Sequence, residues 1–196
     1  VGGTGSSGSG TAEALATVNI AASAAGDVTV AKIFADTTNS TTDNAMVMTL
    51  SANGVGSSVL LDDVSNTFGS LTANISGDQE VSFTQADGVI TADDVTINRS
   101  GAGATTIDAI DATDALNVTH DGTGTLTVTT ADAEGDTVAT STSGALVFTS
   151  TSTVNVTATG ADAADTLVAS GTTAAGSTHT LSGAGGDDII TGGAGN

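Results

Sequence analysis

The residues with the clearest chemistry lie at the end of the chain. GAGGDDIITGGAGN, from Gly183 to Asn196, superposes on itself at a shift of nine, with Gly183 falling on Gly192 and Gly186 on Gly195. That is the frame of the nonapeptide G-G-x-G-x-D-x-U-x, where U is a large apolar residue. Asp188 takes the aspartate position and Ile190 the apolar one. Glycines let a tight turn adopt positive φ and aim its carbonyls inward. Asp188 adds a hard anionic oxygen, the ligand type that Ca²⁺ collects from carboxylates and carbonyls. Ile190 then opens a short strand. The alternative is an ordinary Gly/Asp turn in a chain rich in both residues.

Two weaker copies lie upstream. Gly160 to Val168 keeps the first glycine, Asp165 and Leu167, and Ala174 to Ser182 keeps Leu181 but puts His179 at the aspartate position. In these residues the chain resembles the RTX family, secreted bacterial proteins with calcium-binding parallel β-rolls. The strict resemblance covers Gly183 to Asn196; Ala184 replaces a glycine, and the chain stops before the next aspartate. The resemblance implies a calcium site with Asp188 as direct ligand, carbonyls from Gly183, Gly185 and Gly186, and Asp165 from the stacked loop. Asp187 is expected to face solvent.

Composition narrows the function classes. Two strong bases, Lys32 and Arg99, stand against 22 acids, for a net charge of −20. Nucleic-acid affinity rests on clustered Lys and Arg, so a nucleic-acid partner is not expected. No stretch has the roughly 18 or more consecutive apolar residues of a spanning helix, so no membrane insertion is expected. Of the acids 19 are Asp and only three are Glu. A solubilising surface could use either; Asp is the one that closes turns through its own side chain. There is no Cys, Pro, Trp or Tyr, so the core must come from Val, Ile, Leu, Ala, Thr methyls and four Phe. Lack of Cys fits a secreted protein without disulfides.

Catalysis has little to work with. His120-Asp121 reads as part of a turn, and no nucleophile setting such as G-x-S-x-G surrounds any Ser. Asp62-Asp63, Asp93-Asp94 and Asp187-Asp188 are paired carboxylates, of which only the last has a glycine frame. The chain is read as a non-enzyme.

The elements that must carry these turns are strands. Val1 to Gly10 reads as a flexible Gly/Ser arm or linker, and Thr11 to Ala16 could form one helical turn. Residues 11–115 form a β domain with short apolar runs at Val28, Met46 to Leu50 and Val59 to Leu61. Residues 116–196 are more regular: Val118, Val128, Val138 and Phe148 recur every ten residues, as do Leu116, Leu126 and Leu146, with Asp136 breaking the series. The expectation is an all-β protein, a β-solenoid or β-roll in the second half ending in RTX-like turns over 160–196. The first half could equally be a β-sandwich, and an antiparallel sandwich throughout is the alternative. Val1 opens without Met or a signal core, and the end falls in mid-repeat, which reads as a segment or processed form.

Three functions fit. The first is a structural, self-assembling subunit of a bacterial surface layer or extracellular filament, stabilised by calcium and located outside the cell. Its partner would be itself, because open sheet edges without Pro and with one Lys are poorly guarded. The second is a stalk or binding module of a large RTX-like adhesin, with ice binding through Thr arrays such as Thr125 to Thr129 as a variant. The third is the non-catalytic tail of a secreted hydrolase.

Overall fold

The computed structural model describes residues 17–34, 45–66, 69–84, 89–171 and 174–193. The expected Gly/Ser arm and the helical turn over 11–16 lie outside the described residues. The chain is a β-solenoid built from two parallel sheets. One sheet holds β1 (Thr17–Ala22), β3 (Met46–Ala52), β5 (Leu71–Ser76), β8 (Val95–Arg99), β10 (Leu116–His120), β12 (Thr137–Ser141), β14 (Val156–Thr159) and β16 (His179–Ser182), in that spatial order. The facing sheet holds β2 (Gly26–Phe34), β4 (Ser57–Asn66), β6 (Glu80–Phe83), β7 (Val89–Ala92), β9 (Thr105–Ala112), β11 (Leu126–Ala133), β13 (Leu146–Ser150), β15 (Thr166–Ala169) and β17 (Ile189–Thr191). The chain alternates between the sheets strand by strand, and β6 and β7 share one level, both pairing with β4 and β9.

Every pair in both sheets is parallel, which removes the sandwich as a reading of the first half and of the whole. Sandwich strands would pair antiparallel through hairpins. Short β-branched runs alone do not separate the two architectures, because each needs the same period-2 alternation. Both sheets run without a break through residues 115 and 116, where the sequence suggests a change of character.

The ten-residue spacing is half a coil. Leu116 in the first sheet and Leu126 in the second are one level, and the next level begins at Thr137 and Leu146. Asp136 interrupts the series because the step from Leu126 through the long strand β11 to the head of β12 is eleven residues, as it is from Thr105 to Leu116. Thr137, not Asp136, therefore stacks on Leu116, and the one-residue slip turns Val138 outward, 39 % exposed. Val118, Val128 and Phe148 point inward and are fully buried.

The core between the sheets is thin and matched in size. Phe83, Ile107, Val128, Phe148 and Leu167 stack along one inward column. Ala73, Ala139 and Ala158 are among the small residues of a column on the other sheet. Each fully buried Leu, Ile or Phe contributes roughly 1.5–3 kcal/mol through removal of apolar area from water. The outward rows of the first sheet are polar. One row runs Asn19, Thr49, Asn74, Asn98, Thr119, Thr140, Thr159, Ser182. The other runs Thr17, Val47, Thr72, Thr96, Asn117, Val138, Thr157, Thr180.

Candidate functional site

Asp165 and Asp188 each stand just before a strand of the second sheet, β15 and β17, one coil apart. The register Thr166↔Ile189 stacks the two loops, and the Gly160 and Gly183 turns stack with them, the Gly160 N–H donating to the Ser182 carbonyl at 2.7 Å. The intermediate copy puts His179 at the start of β16 in the opposite sheet. The three copies thus alternate between sheets.

Asp165 is 1 % exposed, yet it is fully served by hydrogen bonds. Its Oδ1 accepts the Leu146 N–H at 2.6 Å and its Oδ2 accepts the Ala161 N–H at 2.8 Å. A carboxylate leaves water at high cost unless such donors replace its hydration, and here they do. One bond holds the head of β13 in the coil before, and the other closes the turn of its own coil. Asp188 repeats half of this arrangement: its Oδ1 accepts the Asp165 N–H at 3.0 Å. Its Oδ2 lies against Gly183, at a point where a side chain on Gly183 would collide with it. The absent Cβ at Gly160 makes the same room for Asp165.

The two expected carboxylate ligands differ in their hydrogen bonding. Each Asp165 oxygen accepts one backbone N–H, which braces adjacent coils and leaves a lone pair on each oxygen. Among the described residues no backbone N–H donates to Asp188 Oδ2, which lies beside a loop in which Ala184 (φ 64°) and Gly186 (φ 108°) are left-handed. That oxygen and the turn carbonyls are donors of the type calcium takes. The Gly185 N–H is held by the Ala161 carbonyl at 3.0 Å, and Asp162 Oδ1 stands where a Cβ on Gly185 would come within 2.9 Å. Asp187 is exposed, as expected. Among the described residues no group of three or more His, Cys, Asp or Glu is arranged to hold a metal.

A second polar column was missed by the sequence reading. His120 is not a turn residue: it is the inward-facing end of β10, fully buried, and its Nε2 donates to the Gly124 carbonyl at 2.8 Å. Arg99 occupies the same column one coil earlier, donating through Nη2 to the Gly77 and Gly103 carbonyls. Ser141 occupies it one coil later, donating to the Gly144 carbonyl at 2.6 Å. Each side chain thus closes the turn that follows it. The signal was legible as a repeat: RSGAG, HDGTG and STSG, at 99–103, 120–124 and 141–144, each pair a polar residue with a glycine three or four places on.

Burial holds the His120 imidazole below the ordinary histidine range, and the Arg99 charge beside it acts in the same direction. With Nε2 as donor, the neutral ring leaves Nδ1 buried without a hydrogen-bond partner, and the pull of the Gly124 and Arg99 carbonyls toward the charged form does not offset burial. Burial likewise lowers Arg99, against the opposing pull of Asp121 and Asp78.

Other acids also cap neighbouring coils. Asp94 Oδ1 accepts the Ala115 N–H at 3.2 Å, and Asp136 Oδ1 accepts the Asn155 amide at 2.9 Å, whose own Oδ1 accepts the Thr178 N–H at 3.0 Å. Asp93 accepts the Thr113 hydroxyl at 2.6 Å beside an open groove of about 530 Å³ lined by Gly69, Ser70, Asp94 and Asp114. No protein-family profile matches this chain, and neither a curated protein nor a solved structure matches it significantly.

Proposed function

We propose that this chain is a structural, non-catalytic subunit of a bacterial extracellular assembly, a surface layer or filament, in which copies of the chain associate and calcium tightens the C-terminal coils. The observation that carries this reading is the fold: two unbroken, all-parallel sheets stacked coil on coil into a regular β-solenoid, the kind of scaffold a structural subunit uses. The polar side chains supporting a structural role are those bound to turn carbonyls: Arg99, His120 and Ser141.

Calcium enters at Asp188 and the carbonyls of Gly183, Gly185 and Gly186, with Asp165 bracing the loop. An ion there would offset repulsion among Asp162, Asp187 and Asp188 in a chain with two strong bases. Sedimentation velocity over a concentration series, with calcium and with excess chelator, tests the proposal. Association that grows with concentration and is strongest with calcium is expected. Monomers alone at high concentration under both conditions would refute it.

A further inference from the structure

We propose that the outward face of the first sheet binds ice. The two outward rows across its eight strands hold sixteen residues, nine Thr, four Asn, two Val and one Ser, and none of the sixteen is buried. No strand of this sheet contains an Asp or Glu, in a chain that has 22 acids. The facing sheet is different: its strands carry Asp27, Asp62, Asp63, Asp108, Asp111 and Asp132. Around the neutral face the acids resume at the turns, at Asp94 and Asp136 on one border and Asp121 on the other. The charge is therefore segregated by face, which solubility does not require.

The geometry is a lattice. Parallel strands repeat at about 4.8 Å and successive outward residues of one strand stand about 6.7 Å apart. The register is unbroken through all eight strands, so hydroxyls, amides and methyls recur at those two spacings over about 34 Å. Oxygen positions on the faces of ice crystals repeat in two dimensions at spacings of this order. The Asn98 Nδ2 donates to Asn74 Oδ1 at 3.0 Å, holding two side chains of one row in line. β-branched Thr adds stiffness at χ1, so its methyl and hydroxyl stay where the backbone places them. Charged groups would hold water in shells of the wrong geometry, and this face has none.

Two other occupants fit less well. A second copy docked face to face would bury a few hundred Å² per side, against the roughly 800 Å² per partner of a stable interface. A carbohydrate fibre is commonly gripped by stacking on aromatic rings, and the face carries none; Phe83 and Phe148 are both fully buried in the core. The Thr-rich stretch from Thr125 to Thr129, which prompted an ice-binding reading of the sequence, lies largely in β11 of the acid-bearing sheet. The neutral face instead uses single Thr and Asn residues from separate strands.

The test is partition of the fluorescently labelled full chain into a slowly growing ice hemisphere, beside a co-dissolved non-binding protein, with thermal hysteresis measured in parallel. Enrichment several-fold above the reference protein is expected. Thr119→Lys combined with Thr157→Lys should bring enrichment down to the reference level, whereas Thr129→Lys, exposed on the opposite sheet, should leave it unchanged. Circular dichroism identifies any variant that fails to fold; for one that does, Thr119→Val with Asn117→Asp supplies the second test, the added charge again abolishing enrichment. Absence of enrichment in the unmodified chain overturns the proposal, as does equal loss with Thr129→Lys. A shift in oligomeric state on Thr119→Lys without any ice partition would also overturn it, assigning the face to contacts between copies. Ice partition of an obligate monomer would leave this inference standing while the assembly reading failed.

Discussion

Replacing Asp165 by Ala should cost far more than replacing Asp188, although Asp188 is the better match to the motif. Asp165→Ala strands two buried donors, the Leu146 N–H and the Ala161 N–H, in adjacent coils. An orphaned buried donor costs about 1–3 kcal/mol, so the pair should cost about 2–6 kcal/mol in chelator, where no ion contributes. Asp188→Ala removes one bond, to the Asp165 N–H, at a half-buried site, and should cost about 0.5–1.5 kcal/mol. Asp165→Asn falls between, since its amide has one acceptor oxygen for two donors. The measurement is urea unfolding with hydrogen exchange of the Leu146 and Ala161 amides, because a solenoid can open coil by coil and a single midpoint can conceal that. In Asp165→Ala both amides should lose protection together. If Asp188→Ala proved the costlier change in chelator, or the two amides kept their protection in Asp165→Ala, the brace would be wrong.

Three further outcomes follow from the same geometry. Calcium should protect residues 160–193 against proteolysis, and Asp188→Ala should remove that protection; equal resistance in calcium and in chelator would leave the loop an ordinary turn. The folded pKa of His120 lies below its unfolded value of about 6.5, so its contribution is fully present above that pH and falls as pH drops below it. His120→Gln, which can still donate to Gly124, should flatten that part of the stability–pH curve, as read by thermal melts at pH 5 and 7. Gly101→Ala should destabilise by about 1–3 kcal/mol, since Gly101 has φ of 90° and its missing Cβ would meet the Gly77 carbonyl one coil below. A neutral result in chemical denaturation would show that the corner is looser than the stacked carbonyls indicate.

The solenoid was legible in the second half of the sequence because two coils there are short and nearly equal, 21 residues from Leu116 to Thr137 and 20 from Leu126 to Leu146. Leu116, Leu126 and Leu146 mark half-coils directly. The first half was not, because its coils are longer: Met46 stacks on Leu71 at a shift of 25 residues and Leu71 on Val95 at 24, with unequal turns between. A period that wanders in this way erases the repeat while leaving the alternation that hairpins share. The Asp165 and Asp188 loops were placed correctly as stacked neighbours, but a spacing cannot say which atoms a carboxylate faces. That depends on the Leu146 N–H, which reaches Asp165 only through the pairing of β13 with β15. His120 was misread, and the inward place of Arg99 missed, for a related reason. Charged and titratable residues are normally assigned to turns and surfaces, and only the coil register shows that both point inward.

The placement of charge follows from the same stacking. In a parallel solenoid every level ends in two corners where the backbone leaves the ladder, and each corner has N–H groups that the strands cannot serve. A short carboxylate reaches the N–H of the adjacent coil, as Asp94 does for Ala115 and Asp165 for Leu146; a Glu would overshoot by one methylene. This accounts for the choice of Asp at those corners, while the strands of the first sheet carry no acid along their flat face. What remains there is a neutral array of Thr and Asn on a rigid two-dimensional repeat, and the corner acids on either side keep two such faces from closing on one another.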